Sequence, residues 1–258
     1  MPRNSLTVLP LAALMLLAAC GDGNPASEPP DLDQVQTDGD LEASLKALPA
    51  GDFRALTLGY KVAGSETKTR LTNEAGAFAD MTSYVACPAA LADDGTPVPP
   101  IETGTCDPSV MPEGTVYTYV QIVYPGEDND PDHGSGNGAD SSTVESADLF
   151  RLVLPAYGFT GRAGYSKAEA RAAVGENADV VISCEGESIA WTIEAGDGGN
   201  QWGQGEPITF YWQSTLPPAR PAQAYEIFAN AVAASGQGAF PAPIAGAGNF
   251  CDNPAAPR

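Results

Sequence analysis

Alternating apolar and polar positions predict β-strands along most of the chain. The clearest case is residues 115–124, TVYTYVQIVY, in which valine, threonine and isoleucine alternate with tyrosine, glutamine and valine. Because successive side chains of an extended chain point to opposite faces, this pattern predicts a strand with two different faces. Similar reasoning predicts further strands at 52–63, 67–73, 147–156, 178–184, 188–195 and 207–215.

Two pairs of these strands are expected to form hairpins. Residues 178–184 and 188–195 are joined by the short stretch EGE, which favours an antiparallel pair. Residues 52–63 and 67–73 are joined across GSE, and we expect the second strand to pair with the first.

One segment carries the signals of a helix with both ends marked. Residues 166–174, SKAEARAAV, begin with Ser166 and have Glu169 three positions later, which is a capping box. Gly175 then stands where a C-terminal cap glycine belongs. The sequence therefore predicts a helix here.

Two other segments are less defined. Residues 41–48 are expected to form a short helix, and 221–235 fit either a helix after Pro221 or a strand at 225–229. Short strands, frequent turn residues and few helices predict a mainly β fold. We expect an antiparallel β-sandwich or a barrel-like domain with one or two short helices.

The N-terminus has the pattern of an export signal. Arg3 precedes an apolar run at 6–19, which contains Pro10 and is short for a membrane span of about 20 residues. The run ends in Leu17-Ala18-Ala19-Cys20, which resembles the lipobox of bacterial lipoproteins. The resemblance implies cleavage before Cys20 and a lipid on its thiol. The alternative is an ordinary signal peptide cut near Ala19.

The segment that follows fits a tether between a lipid and a folded domain. Residues 21–40 contain six acidic residues, three prolines, no lysine or arginine and no aromatic residue. Such a composition cannot bury enough apolar surface to offset the entropy of ordering. We expect a signal peptide at 1–19, a lipidated Cys20 and acidic tether at 20–40, and one mostly β domain at 41–258. Gly21 directly follows Cys20, and we expect the outer membrane, where the domain lies on the periplasmic or the surface face.

The charge is strongly negative and unevenly spread. The formal net charge is −21, and no lysine or arginine occurs from Leu71 to Phe150, where there are 14 acidic residues. So negative a chain repels nucleic acids, and we expect no nucleic-acid partner.

The number of cysteines agrees with lipidation of one of them. Five cysteines are an odd number for an exported protein, and assigning Cys20 to a lipid leaves four. Three pairings of the four are possible, and we favour one in which the first pair brackets a proline-rich loop and the second holds the C-terminus. A zinc site is the alternative, but no two cysteines have metal-ligand spacing. The favoured pairs are Cys87–Cys106 and Cys184–Cys251.

Residues 126–140, GEDNDPDHGSGNGAD, are the candidate metal site. Calcium takes six to eight oxygen ligands, which alternating aspartates can supply. The match to an EF-hand loop is partial, because His133 stands at the glycine position and Ala139 at the glutamate position. The alternative is a solvated acidic loop, in which His133, the one histidine, is simply exposed. The candidate calcium ligands are Asp128, Asp130, Asp132 and Asp140.

Trp202 is the candidate ligand-binding aromatic residue. It lies in GDGGNQWGQGE, where an exposed indole beside amides could stack on a sugar ring. The alternative is a loop aromatic that folds back over the end of the fold, because large aromatic residues usually bury most of their area. Trp191 and Trp212, on predicted strands, are expected in the core.

No motif of a known enzyme class is present, so the sequence favours a non-catalytic role. There is no phosphate loop, no dinucleotide fingerprint and no nucleophile elbow. Paired carboxylates could serve a hydrolase, but in a chain with 33 acidic residues such pairs are unavoidable. We expect a lipid-anchored envelope protein that binds a ligand (calcium or a glycan) or an envelope protein, or has a structural role. The alternatives are an accessory subunit of an outer-membrane complex and a secreted carboxylate-based hydrolase.

Overall fold

Short antiparallel strands make up most of the computed structural model, which describes residues 46–92, 94–98, 104–126, 144–203, 205–244 and 249–251. The one α-helix of these residues is α1 (Lys167–Val174), and 3₁₀ turns occur at Phe53–Ala55 and Pro108–Val110. The strands are β1 (Lys46–Leu48), β2 (Ala50–Asp52), β3 (Leu58–Val62), β4 (Thr67–Asn73), β5 (Gly76–Pro88), β6 (Ala90–Leu91), β7 (Pro97–Val98), β8 (Thr105–Cys106), β9 (Tyr117–Pro125), β10 (Ala147–Leu152), β11 (Phe159–Tyr165), β12 (Asp179–Glu185), β13 (Ser188–Glu194), β14 (Ile208–Ser214), β15 (Ala222–Ala229) and β16 (Val232–Gly238).

Fourteen of these strands form one large, nearly closed, barrel-like sheet. Its order is β1-β12-β13-β10-β15-β16-β4-β5-β9-β14-β11-β2. In addition, β3 pairs with β5 and β8 pairs with β3, while β6 and β7 form a separate pair. The two outermost strands, β1 and β2, are separated in the chain only by Pro49. Since β1 pairs with β12 and β2 pairs with β11, residues 46–52 connect the two edges of the sheet. We call residues 46–52 the closing segment.

Large side chains fill the interior of this sheet. Neighbouring strands place Leu48, Ile182, Trp191, Phe150 and Ile227 opposite one another in a continuous row. All five are buried. Because side chains alternate between the two faces of a strand, one row of this kind defines the inner face of five strands at once.

The opposite wall meets this row through aromatic contacts. Phe210 of β14 stacks on Phe150 of β10, with ring centroids 4.9 Å apart. Tyr225 of β15, the strand paired with β10, lies 5.9 Å from the same ring. Trp212 stacks on Tyr119 of the neighbouring strand at 4.5 Å. Aromatic pairs at these separations add packing energy beyond the area that they bury.

The barrel has two ends, which we name by their features. The insertion end is where β9 ends at Pro125, where β10 begins at Ala147, and where α1 lies between β11 and β12. The disulfide end is opposite and holds both disulfides, Cys87–Cys106 and Cys184–Cys251. The predicted pairing of the four cysteines is thus the one that the structure has.

The mainly β fold is confirmed, and the barrel-like alternative is the one that forms. The helix predicted at 166–174 is α1, with the Ser166 hydroxyl accepting a hydrogen bond from the Glu169 amide at 3.3 Å. The Glu169 carboxylate does not complete the capping box, because it accepts from the Thr209 amide at 2.7 Å instead. The predicted hairpin of 178–184 and 188–195 forms as β12 and β13.

Some predictions differ from the structure. Of the expected helix at 41–48, residues 46–48 are strand β1, and the rest lies outside the described residues. The strand at 67–73 is β4, but its partners are β5 and β16 rather than β3. For the segment 221–235, the strand alternative is confirmed, because β15 (Ala222–Ala229) covers 225–229. A turn and the beginning of β16 follow it.

Candidate functional site

The two strongest sequence candidates lie outside the described residues. They are the lipidation residue Cys20 and the acidic segment 127–143, which contains Asp128, Asp130, Asp132 and Asp140. Their roles in lipidation and calcium binding remain predictions. The structure does describe the residues on both sides of the acidic segment.

The loop around Trp202 joins the two strands that flank the acidic segment. The amide of Gly205 donates to the carbonyl of Pro125, the last residue of β9, at 2.6 Å. The amide of Ala147, the first residue of β10, donates to the carbonyl of Trp202 at 2.8 Å. Both strands are therefore fixed by the same loop, although the connection between them is long.

Trp202 itself is not the exposed indole that sugar stacking would require. Its side chain is buried with 1% of its surface exposed, and its ring packs edge-on against Phe210 at 5.7 Å. The indole Nε1 donates to the carbonyl of Glu206 at 2.6 Å, so its polar group is satisfied within the loop. Trp202 closes the insertion end of the core, as the alternative interpretation of its loop expected.

The turn between β15 and β16 supports the same two flanks. Asn230 and Ala231 have φ angles of 50° and 61°, a left-handed backbone that asparagine tolerates better than most residues. The Asn230 side-chain oxygen accepts from the amides of Glu145 and Ser146 at 2.9 and 3.3 Å. The Asn230 amide in turn donates to the Ser146 carbonyl at 2.8 Å. Sequence reasoning missed this contact, although an asparagine between two alternating segments is a signal for a tight turn.

A buried chain of hydrogen bonds crosses the interior. The Gln121 side-chain Nε2 donates to the Tyr225 hydroxyl at 3.0 Å, and that hydroxyl donates to the Ala239 carbonyl at 2.7 Å. The Ala239 amide donates to the Ser83 hydroxyl at 2.9 Å. Strands β9, β15 and β5 are thereby linked to the segment after β16.

This chain of bonds does not provide an acid or a base near neutral pH. Burial raises the pKa of Tyr225 above its ordinary value, and the hydrogen bond from Gln121 offsets only part of that effect. The hydroxyl therefore stays protonated and acts as a neutral donor and acceptor. Its role is to satisfy buried polar groups and to fix the register of the strands around it.

Two carboxylates do lie close together, but both are paired with an arginine. Arg151 on β10 contacts Glu185 at 3.2 Å and Glu226 at 2.6 Å. Burial alone would lower the pKa of Arg151, yet the hydrogen bonds and charges of the two glutamates raise it. Because a guanidinium holds both carboxylates, this group is an ion-pair cluster and not the acid and base pair of a glycosidase.

Two further observations concern the described residues alone. They contain no cluster of three or more His, Cys, Asp or Glu side chains placed to hold a metal ion. Their one helix is also too short and too polar to cross a membrane.

Comparison with known proteins finds no relative. No family model, no curated protein and no solved structure matches the chain. The functional assignment therefore rests on the residues and contacts described above.

Proposed function

We propose that this protein is a lipid-anchored component of a bacterial envelope, with a barrel-like domain that has a non-catalytic binding or structural role. The observation that carries the proposal is the use of the cysteines. Four of the five are joined in two disulfides within the domain, which leaves Cys20 as the odd one. Disulfides persist in oxidising compartments outside the cytosol, which agrees with export by the N-terminal signal.

The anchoring step is tested by labelling the thiol. Full-length protein is produced in a bacterial host with a palmitate analogue, and the label on the protein is measured. We expect labelling of the wild type and none of Cys20→Ser. The matched control is the double variant Cys184→Ser/Cys251→Ser, which removes two other cysteines, keeps Cys20 and should therefore keep the label. A Cys20→Ser protein that is labelled as strongly as the wild type would refute lipid anchoring at this residue.

The binding role is proposed for the acidic segment, with calcium as the ligand. Its support is the alternation of Asp128, Asp130 and Asp132, together with the loop and turn that fix its two flanking strands. A ligand that binds the folded state alone raises its stability. We therefore expect calcium to raise the melting temperature of the wild type.

The calcium proposal needs a control of equal charge. The triple variant Asp128→Asn/Asp130→Asn/Asp132→Asn should lose the calcium-dependent shift of the melting temperature. A second triple variant removes the same charge from the tether and should keep the shift. If calcium leaves the wild type unchanged, the metal-binding role is withdrawn and the structural role remains. The tether residues changed to asparagine are Asp22, Asp31 and Asp33.

A further inference from the structure

Exposed apolar side chains are concentrated at the disulfide end of the barrel. Among the described residues, five large hydrophobic side chains are exposed, and four of them belong to connections at this end. The fifth is the first residue of β16, next to the β15–β16 turn at the insertion end. The four are Leu91 (66% exposed), Val110 (78%), Val153 (39%) and Ile244 (49%), and the fifth is Val232 (39%).

The topology explains why these four side chains share one end. Val110 ends the 3₁₀ turn between β8 and β9, and Leu91 follows the end of β5. Val153 directly follows β10. Ile244 follows Pro241, which bridges to Pro218 after β14. Single exposed hydrophobic residues are ordinary, but several at one end of a domain indicate an interaction surface.

The chain also enters the barrel at the disulfide end. Lys46, the first described residue, lies opposite Cys184, which is bonded to Cys251. From Cys20 to Lys46 there are 26 residue steps along the sequence. A flexible chain of that length has an end-to-end distance of roughly 30 Å, and it spans at most about 90 Å when extended. A lipid on Cys20 would therefore confine the domain to within about 90 Å of the membrane surface, with the point of attachment at the disulfide end.

We infer that the disulfide end rests on the lipid bilayer, with Leu91, Val110 and Ile244 entering the headgroup region. This inference rests on the proposed lipid anchoring. Contacts of these side chains with the bilayer are weak alone, but they become effective once the lipid is inserted, because the tether makes them intramolecular. The strand ends that flank the acidic segment, Pro125 and Ala147, then lie on the side away from the membrane.

The charge at this end selects the kind of lipid. Asp94 and Asp107 are close in sequence to Leu91 and Val110, and hydrogen bonds from Thr96 and Ser109 lower the pKa values of their carboxyl groups. Both carboxylates stay negative at neutral pH. Lys61, opposite Thr105 of β8, and Arg220, just before β15, bring positive charge to the same end. A surface with both signs of charge fits zwitterionic headgroups such as phosphatidylcholine or phosphatidylethanolamine.

A tryptophan placed at each end tests the orientation. Val110→Trp reports on the disulfide end, and Val232→Trp is the matched control at the insertion end. The native Trp191, Trp202 and Trp212 are buried and contribute the same background to both variants. Each variant is produced with its N-terminal signal in a bacterial host, purified and mixed with phosphatidylcholine vesicles, and quenching is measured with brominated lipid and with aqueous acrylamide.

For Val110→Trp we expect a blue shift of the emission, quenching by brominated lipid and loss of quenching by acrylamide. For Val232→Trp we expect no blue shift, no lipid quenching and full acrylamide quenching. Equal acrylamide quenching of the two variants on vesicles would overturn the orientation. Protection of Val110→Trp in native membranes but not in vesicles would also overturn it, in favour of a protein partner.

Flotation of the vesicles separates this inference from the proposed function. If neither variant floats with the vesicles, lipid anchoring has failed. If both float and Val110→Trp stays open to acrylamide, anchoring holds and the orientation is wrong. Ile244→Trp gives a second reporter at the same end and should behave as Val110→Trp does.

Discussion

Substitution of one glycine should open the barrel where the closing segment joins it. Gly164 of β11 lies opposite Gly51 of the closing segment, with the ring of Tyr211 beside both. A Cβ at residue 164 would overlap the Gly51 carbonyl and lie 2.5 Å from Tyr211 Cε1. Neither neighbour is the free end of a flexible side chain, so Gly164→Ala forces β2 away from β11.

The cost follows from two effects. Overpacking of a well-packed site typically costs about 1–3 kcal/mol. Each backbone hydrogen bond lost between β2 and β11 adds about 1 kcal/mol. We expect Gly164→Ala to lower the free energy of unfolding by about 3 kcal/mol. Since a domain of this size has a urea m-value of about 2–3 kcal/mol/M, the unfolding midpoint should fall by about 1 M.

The assay combines urea unfolding with hydrogen exchange, which locates the change. Amides of residues 50–52 and 163–165 should exchange faster in Gly164→Ala, while the hairpin of β12 and β13 keeps its protection. Gly203→Ala is the control, because the nearest atom to a Cβ there is the Gln201 carbonyl oxygen at 3.7 Å. Equal stability of the two variants would show that β2 does not close the sheet.

Two further predictions concern the disulfides and a buried hydroxyl. Chain entropy predicts that the Cys184–Cys251 disulfide stabilises the fold by about 4 kcal/mol and the Cys87–Cys106 disulfide by about 3 kcal/mol, because their sequence separations are 67 and 19. In urea, the Cys184→Ser/Cys251→Ser variant should therefore be less stable than Cys87→Ser/Cys106→Ser. The reverse order would contradict this. Burial raises the pKa of Tyr225 from its ordinary value of 10.0, so the folded state keeps the proton while the unfolded chain loses it above about pH 10. This contribution to stability is complete below pH 10 and is lost as the pH rises, so the alkaline fall in the free energy of unfolding should be smaller for Tyr225→Phe; an unchanged fall would refute it.

Local patterns were sufficient for elements whose partners are near in sequence. The hairpin of β12 and β13 follows from two alternating segments around a three-residue connection, and α1 follows from the caps at Ser166 and Gly175. The disulfide pairing was also predicted, because one pair brackets a loop and the other fixes the last described residues. In the structure Phe250 packs against Gly161, where a Cβ would lie within 2.7 Å of its ring.

Elements that depend on distant partners were missed. β11 contains Gly161 and Gly164, and glycine weakens a strand signal, yet close approach to Tyr211 and Phe250 requires glycine at both positions. β1 has three residues, and its partner β12 lies far along the chain. The local sequence of residues 41–48 therefore held no strand signal, and a helix was predicted. β3 and β4 were expected to pair because they are neighbours in sequence, but β5 is long enough to pair with both.

The candidate site was less predictable than the fold. The burial of Trp202 depends on Phe210 in the next strand and also on β9 and β10, which are distant in sequence. The hydrogen bonds that the Asn230 side chain accepts from the amides of Glu145 and Ser146 likewise join residues 85 and 84 positions apart. Such contacts follow from the closed order of strands and not from local pattern.

Mass spectrometry of the N-terminal peptide of the mature protein tests the central claim most directly. The protein is purified from membranes of a bacterial host and digested, and the first peptide is identified. We predict that it begins at Cys20 and carries the mass of covalently attached acyl chains. An unmodified Cys20, or a mature chain that begins at another residue, would contradict the assignment as a lipid-anchored envelope protein.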